Sequence, residues 1–262
     1  MRPLILLAND DGVNARGLAA LAERLSDLGE VMVVAPDRER SATSHAFTMD
    51  RPLRVEEVRP GWFSVDGTPV DCVYLGLLRL VPRKPALVVS GINHGYNLGA
   101  DVFYSGTVAC AVEASIRDTP SLAMSFDYHR GGAVFEHAAD FAHALARAAL
   151  AEGLPPRTLL NVNVPSGTPR GYRWTSLGRR AYHDRVDQRD DLRGKRYYWL
   201  GGPPIDDEKS APPGSDCHAV GNGIVSITPL DLDLTSHGLL TQLPGWTVDG
   251  FERVVELEEP RA

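Results

Sequence analysis

The chain has 262 residues, enough for one large domain or for one domain with an appendage. Its 43% hydrophobic and 23% charged content is that of a soluble globular protein with room for a proper core. The formal net charge of -7 argues against binding nucleic acid duplex or an anionic membrane, both of which need a basic face, but leaves a small phosphate ligand open because one bound cation reverses a local field.

Leu4 to Ala8 are consecutive apolar residues, the pattern of a strand buried on both faces of a parallel sheet. The run stops at Asn9, Asp10 and Asp11, and Gly12 permits a tight turn. Leu18, Leu21, Leu25 and Leu28 then share one helical face, with Gly29 at the C-cap position. Two adjacent carboxylates therefore stand at the carboxyl end of a central strand, the edge at which open α/β sheets bind ligands. They repel unless a cation or a proton lies between them. A metal site is one reading; a pair of solvated turn residues is the other, because Asp is common in turns.

Residues 31–35 form a second apolar run, ended by Pro36, and a charged, hydroxyl-rich loop follows at the same sheet edge. Ser41, Thr43 and Ser44 can each offer an oxygen there, although local hydroxyl-to-backbone bonds are the more economical reading of any one of them. Residues 53–58 and 62–65 read as short strands extending the sheet antiparallel. Thr68, Pro69 and Asp71 announce a helix by N-cap, first-turn proline and capping box, with an apolar face running from Val70 to Val81.

Residues 86–89 are another buried-strand run, and the glycine-rich stretch after it is the second informative region. Gly91, Gly95 and Gly99 let backbone approach a ligand closely, while Asn93, Asn97 and Asp101 offer side-chain oxygens. Ser105, Gly106 and Thr107 open a helix of small residues. Such a start is either an anion site or an ordinary Ser N-cap. His94 in this loop reads as a surface histidine, since no carboxylate partner is visible in sequence.

Residues 120–126 predict a strand. Val134, Ala138, Phe141, Leu145 and Ala148 predict an amphipathic helix, and residues 159–164 another strand. The alternation indicates an α/β fold, a doubly wound, Rossmann-like sheet with helices on both faces, with its core at about residues 1–166 of a single 262-residue domain. Residues 167–222 are rich in Arg, Asp, Gly and Pro, with strand candidates only at 197–200 and, just beyond, 223–228. The aromatics near Trp199 suit a β-hairpin arm used in oligomer contact, making about 167–262 an oligomerisation extension. One short amphipathic element is expected after Leu240.

Cys72, Cys110 and Cys217 are scattered and odd in number, which offers no zinc cluster and suggests buried thiols. With no signal-peptide pattern and no membrane-length apolar run, a cytoplasmic protein is the expectation.

Taken together, an ordered set of motifs resembles the SurE (stationary-phase survival protein) 5′-nucleotidase family. The motifs are residues 9–12 (Asn-Asp-Asp-Gly), 35–38 with 40–41 (Ala-Pro-Asp-Arg, Arg-Ser), 67–69 with 71–76, and 90–93 (Ser-Gly-Ile-Asn). They continue through 97–99, Asp101, 104–108 (Tyr-Ser-Gly-Thr-Val), 193–194, 197–199, 214–216, 226–230 and 233–235. The resemblance implies one divalent cation per subunit on Asp10, Asp11, Ser41 and Asn93, an all-oxygen set that suits Mg²⁺ or Mn²⁺. It also implies nucleoside monophosphate substrates, with 3′-nucleotides and short polyphosphate as further ones, and a homodimer or homotetramer built through the C-terminal extension. Arg16 stands where the family commonly has proline, and Ala42 where it commonly has glycine; neither removes a ligand.

On this reading Asp10 and Asp11 are the catalytic carboxylates. The cation neutralises charge during phosphoryl transfer to water, while Asn97, Ser105, Gly106 and Thr107 hold the phosphate oxygens. A covalent aspartyl-phosphate is disfavoured, because the adjacent pair is not an Asp-x-Asp arrangement. The alternatives are a non-catalytic nucleotide-binding or sensing module of the same fold, and an oligomeric scaffold with a structural cation. A dinucleotide dehydrogenase is disfavoured because no G-x-G-x-x-G follows the first strand.

Overall fold

The computed structural model describes residues 2–126, 135–180, 182–183, 185–202, 211–247 and 249–250. Val134, expected on a helix face, and the tail 251–262 lie outside them. Residues Met1–Leu232 form one compact unit and Asp233–Ala262 a second.

In the first unit a nine-stranded sheet runs in the order β3-β4-β2-β1-β5-β6-β7-β11-β8. Its strands are β1 (Leu4–Ala8), β2 (Glu30–Pro36), β3 (Val55–Arg59), β4 (Trp62–Val65), β5 (Leu87–His94), β6 (Ser121–Phe126), β7 (Thr158–Val164), β8 (Tyr172–Trp174) and β11 (Val225–Asp231). The strands from β4 to β7 in that order are parallel to their neighbours. The outer strands β3 and β11 are antiparallel to β4 and β7. The sheet therefore continues past the expected core boundary near 166, taking in β8 and β11.

Alternation along β1 assigns its side chains to two layers. Ile5 and Leu7 pack with Leu18, Leu21 and Leu25 of α1 (Arg16–Leu25) and with Ala138, Ala142 and Ala146 of α4 (Glu136–Glu152). Leu6 and Ala8 face the other way, against Cys72 and Val73 of α2 (Pro69–Leu75) and Cys110 and Ala114 of α3 (Gly106–Ile116). Helices thus cover both faces, and all three cysteines are buried thiols.

The capping box at Thr68 and Asp71 forms as predicted, but after Leu75 the expected helix widens its turn into a π-helical segment, Gly76–Leu80. Gly29 is not a C-cap: α1 ends at Leu25, and a Cβ on Gly29 would lie 2.5 Å from the Pro3 carbonyl oxygen. That glycine is required for close approach to the chain entering β1. A separate antiparallel hairpin pairs β9 (Arg185–Asp190) with β10 (Arg196–Gly201), and a short helix α5 (Asp216–Gly221) precedes β11. The sequence marked the hairpin only through its β10 strand and offered no signal for β8 or α5.

The second unit holds α6 (His237–Gln242) and a 3-10 turn, Leu243–Gly245. Its Asp233 accepts from Thr235 and lies 3.0 Å from His237, contacts that hold the carboxyl down at about 2. Among the described residues no helix is long and apolar enough to cross a membrane.

Candidate active site

The sheet has its topological switch at β1. The chain leaves β1 toward β2 on one side, and β5 later inserts on the other, so the carboxyl ends of β1 and β5 flank a crevice. Asp10 and Asp11 follow β1 after Asn9, and Asn93 is the penultimate residue of strand β5, just before His94. The Asn9 side chain closes the turn, accepting from Gly12 N–H at 3.2 Å and donating to Gly12 carbonyl at 3.0 Å. Gly12 sits at φ 98°, and a Cβ there would come within 3.1 Å of the Arg38 backbone. That proximity ties the turn to the loop after β2, whose Arg40 N–H donates to the Asp10 carbonyl at 2.7 Å.

The same loop brings Ser41 to the crevice, its hydroxyl donating to Glu39 at 2.8 Å. Ala42 and Ser44 are in the left-handed region, at φ 56° and 54°. That conformation costs on the order of 1 kcal/mol per residue without glycine. Hydrogen bonds offset it: Thr43 to the Arg40 carbonyl (2.9 Å), and Ser44 through its hydroxyl to the Phe103 carbonyl (2.6 Å) and its N–H to the Tyr104 carbonyl (3.1 Å).

Asp10, Asp11, Ser41, Asn93, Asn97 and Ser105 all line one cavity of about 520 Å³. Gly106 and Thr107 do not line it. The Thr107 hydroxyl and the backbone at Gly106 and Thr107 hydrogen-bond to Asp10 instead. The N-terminus of α3 is therefore directed at the Asp10 carboxylate. Gly106 is needed because a Cβ would lie 2.8 Å from the Asp10 Cβ. Ser105 is the N-cap, accepting from Val108 N–H at 3.1 Å, and remains on the cavity wall. Asn97 is buried and locked: its amide donates to Ser125 (2.8 Å), its N–H to Asn163 (2.8 Å), and its carbonyl accepts from Asn161 and Asn163.

The two carboxylates are strained electrostatically. Burial pushes the Asp10 carboxyl up, against the pull of its Thr107 and α3 hydrogen bonds. Burial, then the Asp10 charge, raises Asp11 from 3.8 to about 7, opposed by the His94 N–H and aided by Glu39. Asp11 Oδ2 is buried with no hydrogen-bond partner among the described residues. His94 is not a detached surface histidine. It lines the cavity with Nδ1 3.6 Å from Asp11 Oδ1, and its ring packs 5.1 Å from that of Phe135.

Residues far along the chain complete the wall. Arg180 (2.6 Å) and the Tyr182 hydroxyl (2.6 Å) both donate to Asp101. The buried Asp216 carboxylate accepts from the backbone N–H groups of Gly99, Gly178 and Cys217, pinning the glycine-rich loop. Sequence reasoning found Asp101 but not Arg180, Tyr182 or the purpose of Asp216, which lie in an aperiodic stretch. Among the described residues the cavity wall carries four carboxylates, Asp10, Asp11, Glu39 and Asp101, and no Lys or Arg. A bound cation would reverse that local field in favour of an anionic ligand.

The family described as Survival protein SurE matches residues 5–184. A Myxococcus xanthus protein named 5′-nucleotidase SurE is 52% identical over 252 residues, covering 95% of each chain. One of the same name from Syntrophotalea carbinolica is 51% identical over 246 residues, covering 94% of this chain and 98% of its own. The crystal structure of Sure protein from Aquifex aeolicus aligns with a TM-score of 0.81 at 43% identity, covering 92% of this chain and 98% of that one. A family match over more than half the chain, joined to near-full-length relatives at this identity and a shared fold, has one meaning: the chain belongs to the SurE family.

Proposed function

We propose that this chain is a metal-dependent phosphomonoesterase that hydrolyses nucleoside 5′-monophosphates to nucleoside and phosphate. 3′-Nucleotides and short polyphosphate are further substrates. The relatives' name supports the nucleotide substrate. The observation that carries the reading is the carboxylate-lined cavity at the switch point, with one buried oxygen, Asp11 Oδ2, left without a partner among the described residues. An oxygen so placed is costly unless a cation or proton satisfies it.

Asp10, Asp11, Ser41 and Asn93 would hold one divalent cation, and their hard oxygens suit Mg²⁺ or Mn²⁺. Bound there, the cation supplies Lewis-acid neutralisation of the phosphate and a more acidic water. The chain's own residues do the rest. The N-terminus of α3 and the Thr107 hydroxyl fix the Asp10 carboxylate. The Asn93 amide donates to the Gly95 carbonyl at 2.9 Å, leaving its oxygen as the ligating atom. Asn97 and Ser105 face the cavity beside this set and would position the phosphate oxygens. His94, next to Asp11, is placed to orient the attacking water or the departing oxygen.

Phosphate release from AMP by metal-stripped protein, with and without Mg²⁺ or Mn²⁺, tests this beside Asp10→Ala and Asn93→Ala. Metal-dependent release lost in both folded variants is expected. Full activity in metal-free buffer would sink the metal assignment. Binding of AMP without any turnover would instead favour the sensing module.

The same reading takes the β9–β10 hairpin as the oligomer arm. Tyr197, Tyr198, Trp199 and Leu200 are all exposed along β10, and a lone two-stranded hairpin is marginal in water. A dimer or tetramer by light scattering that dissociates in Trp199→Glu is expected; a monomeric native chain overturns it.

A further inference from the structure

The cavity has an acidic end, at Asp10, Asp11 and Glu39, and an aromatic wall, at Tyr96, Tyr104 and Tyr182. Two of the three rings are engaged elsewhere. Tyr96 packs on the buried cluster of Leu98, Cys217 and Val220, and the Tyr182 hydroxyl is committed to Asp101. Tyr104 differs: it lines the cavity yet is 66% exposed, and among the described residues no ring or guanidinium stacks on it. Its backbone is nonetheless held on both sides, the N–H donating to the Asp101 carbonyl at 2.9 Å and the carbonyl accepting from Ser44 N–H at 3.1 Å. A large flat ring is thus presented to solvent from a fixed backbone, which lowers the entropic penalty of using it.

We propose that Tyr104 is the stacking platform for the nucleobase, and so the residue by which this cavity distinguishes nucleotides from phosphate esters that lack a base. The inference rests on the phosphomonoesterase reading of the same cavity. Tyr104 immediately precedes Ser105, the N-cap of the helix whose first turn grips Asp10. A phosphate at the carboxylate end leaves the ribose to span toward Tyr104, with the base over its ring. Tyr104 itself offers a π-face, and recognition by stacking is tolerant of base identity. The cavity of about 520 Å³ lies within the size range of small-molecule sites. The Ser44 contact also ties the platform to the loop carrying Ser41, so base and phosphate ends are held by one connected piece of chain.

The test compares AMP with ribose 5-phosphate, which differs by the base alone, in native protein, Tyr104→Ala and Tyr104→Phe, with Mn²⁺ present. Stacking predicts that the AMP to ribose 5-phosphate ratio of kcat/KM falls about 5- to 100-fold in Tyr104→Ala and holds in Tyr104→Phe, which keeps the ring. Equal losses on both substrates in Tyr104→Ala, or a preference for AMP that survives it, overturns the proposal. So does a Tyr104→Phe ratio as low as that of Tyr104→Ala. Calorimetric titration of both ligands keeps the two readings separable. Absence of turnover with AMP still bound more tightly than ribose 5-phosphate, through Tyr104, would refute the phosphatase reading and leave the platform standing. Equal affinity of the native protein for both ligands would refute the platform whatever the turnover.

Discussion

Replacing Asp11 by Asn in metal-free protein gives a pH-dependent change in stability whose sign follows from the site. The Asp11 carboxyl is raised to about 7 in the folded chain, against 3.8 when unperturbed, because burial and the neighbouring Asp10 penalise its charge. Between those two values the folded state holds a proton that the unfolded state has lost, so stability is greatest below about pH 4 and falls as pH rises toward 7. At about 1.4 kcal/mol per unit the penalty above pH 7 reaches an upper bound on the order of 4 kcal/mol. Asn is nearly isosteric with the protonated acid and cannot ionise. Metal-free Asp11→Asn should therefore exceed the native protein by only about 1 kcal/mol near pH 4.5 and by most of that upper bound at pH 8. With about 2–4 °C of Tm per kcal/mol in a chain of this size, the gap at pH 8 is on the order of 10 °C. Thermal melts in chelator at both pH values, then with Mn²⁺, measure it; bound metal should raise the native Tm more than that of the variant. A variant equally destabilised at both pH values would refute the claim that Asp11 is a buried, cation-seeking charge.

Two further substitutions probe the supports of the site. Gly106→Ala places a methyl 2.8 Å from the Asp10 Cβ and 3.0 Å from Pro69, so Asp10 or α2 must move. Overpacking of about 1–3 kcal/mol, offset by up to about 1 kcal/mol of helix propensity, leaves only modest destabilisation. Turnover should fall about 100-fold from a carboxylate displaced by a fraction of an ångström; native activity in a folded variant would show that Asp10 is not held in place by α3. Asp216→Asn puts an amide among three backbone N–H donors that now share a buried carboxylate. Losing those charge-assisted bonds should cost about 2–4 kcal/mol, read as a lower urea midpoint; an unchanged midpoint would deny that Asp216 pins the loop.

What the sequence disclosed is what local pattern encodes. The β1 run and its abrupt stop at Asn9, the capping box at Thr68 and the small-residue helix after Ser105 all report nearest neighbours along the chain, and the structure keeps each. Gly29 shows the limit. A glycine required for close approach and a glycine required for left-handed backbone look alike in sequence, and only the Pro3 carbonyl decides between them. The start of α3 shows a second limit: it advertises an anion site, and sequence pattern cannot show that Asp10, 97 residues away, is bonded there. His94 reads as idle for the same reason, since Asp11 reaches it only when β1 and β5 pair. Ser41 and Asn93 join the Asp pair in one cavity, a grouping that local chemistry leaves open and the family resemblance supplies. Arg180 and Tyr182 come from a stretch with no period to read.

The electrostatic pattern explains why these parts belong together. A core assembled for stability alone would not set two adjacent carboxylates at the carboxyl end of its central strand and then bury them. The fold stabilises one of them: α3 directs its N-terminal N–H groups and the Thr107 hydroxyl at Asp10, opposing the desolvation of that charge without cancelling it. Asp11 gets no comparable help, keeping one buried oxygen unpartnered, and Glu39 and Asp101 add further negative charge to the same wall. The Arg180 guanidinium is turned to Asp101. Protonation relieves this arrangement only up to about pH 7 for Asp11, whereas a divalent cation relieves it at every higher pH and at the same time makes the cavity attractive to a phosphate dianion. On the proposed reading, relief of that repulsion would contribute to cation binding, and the nucleotide would follow the charge that the cation brings.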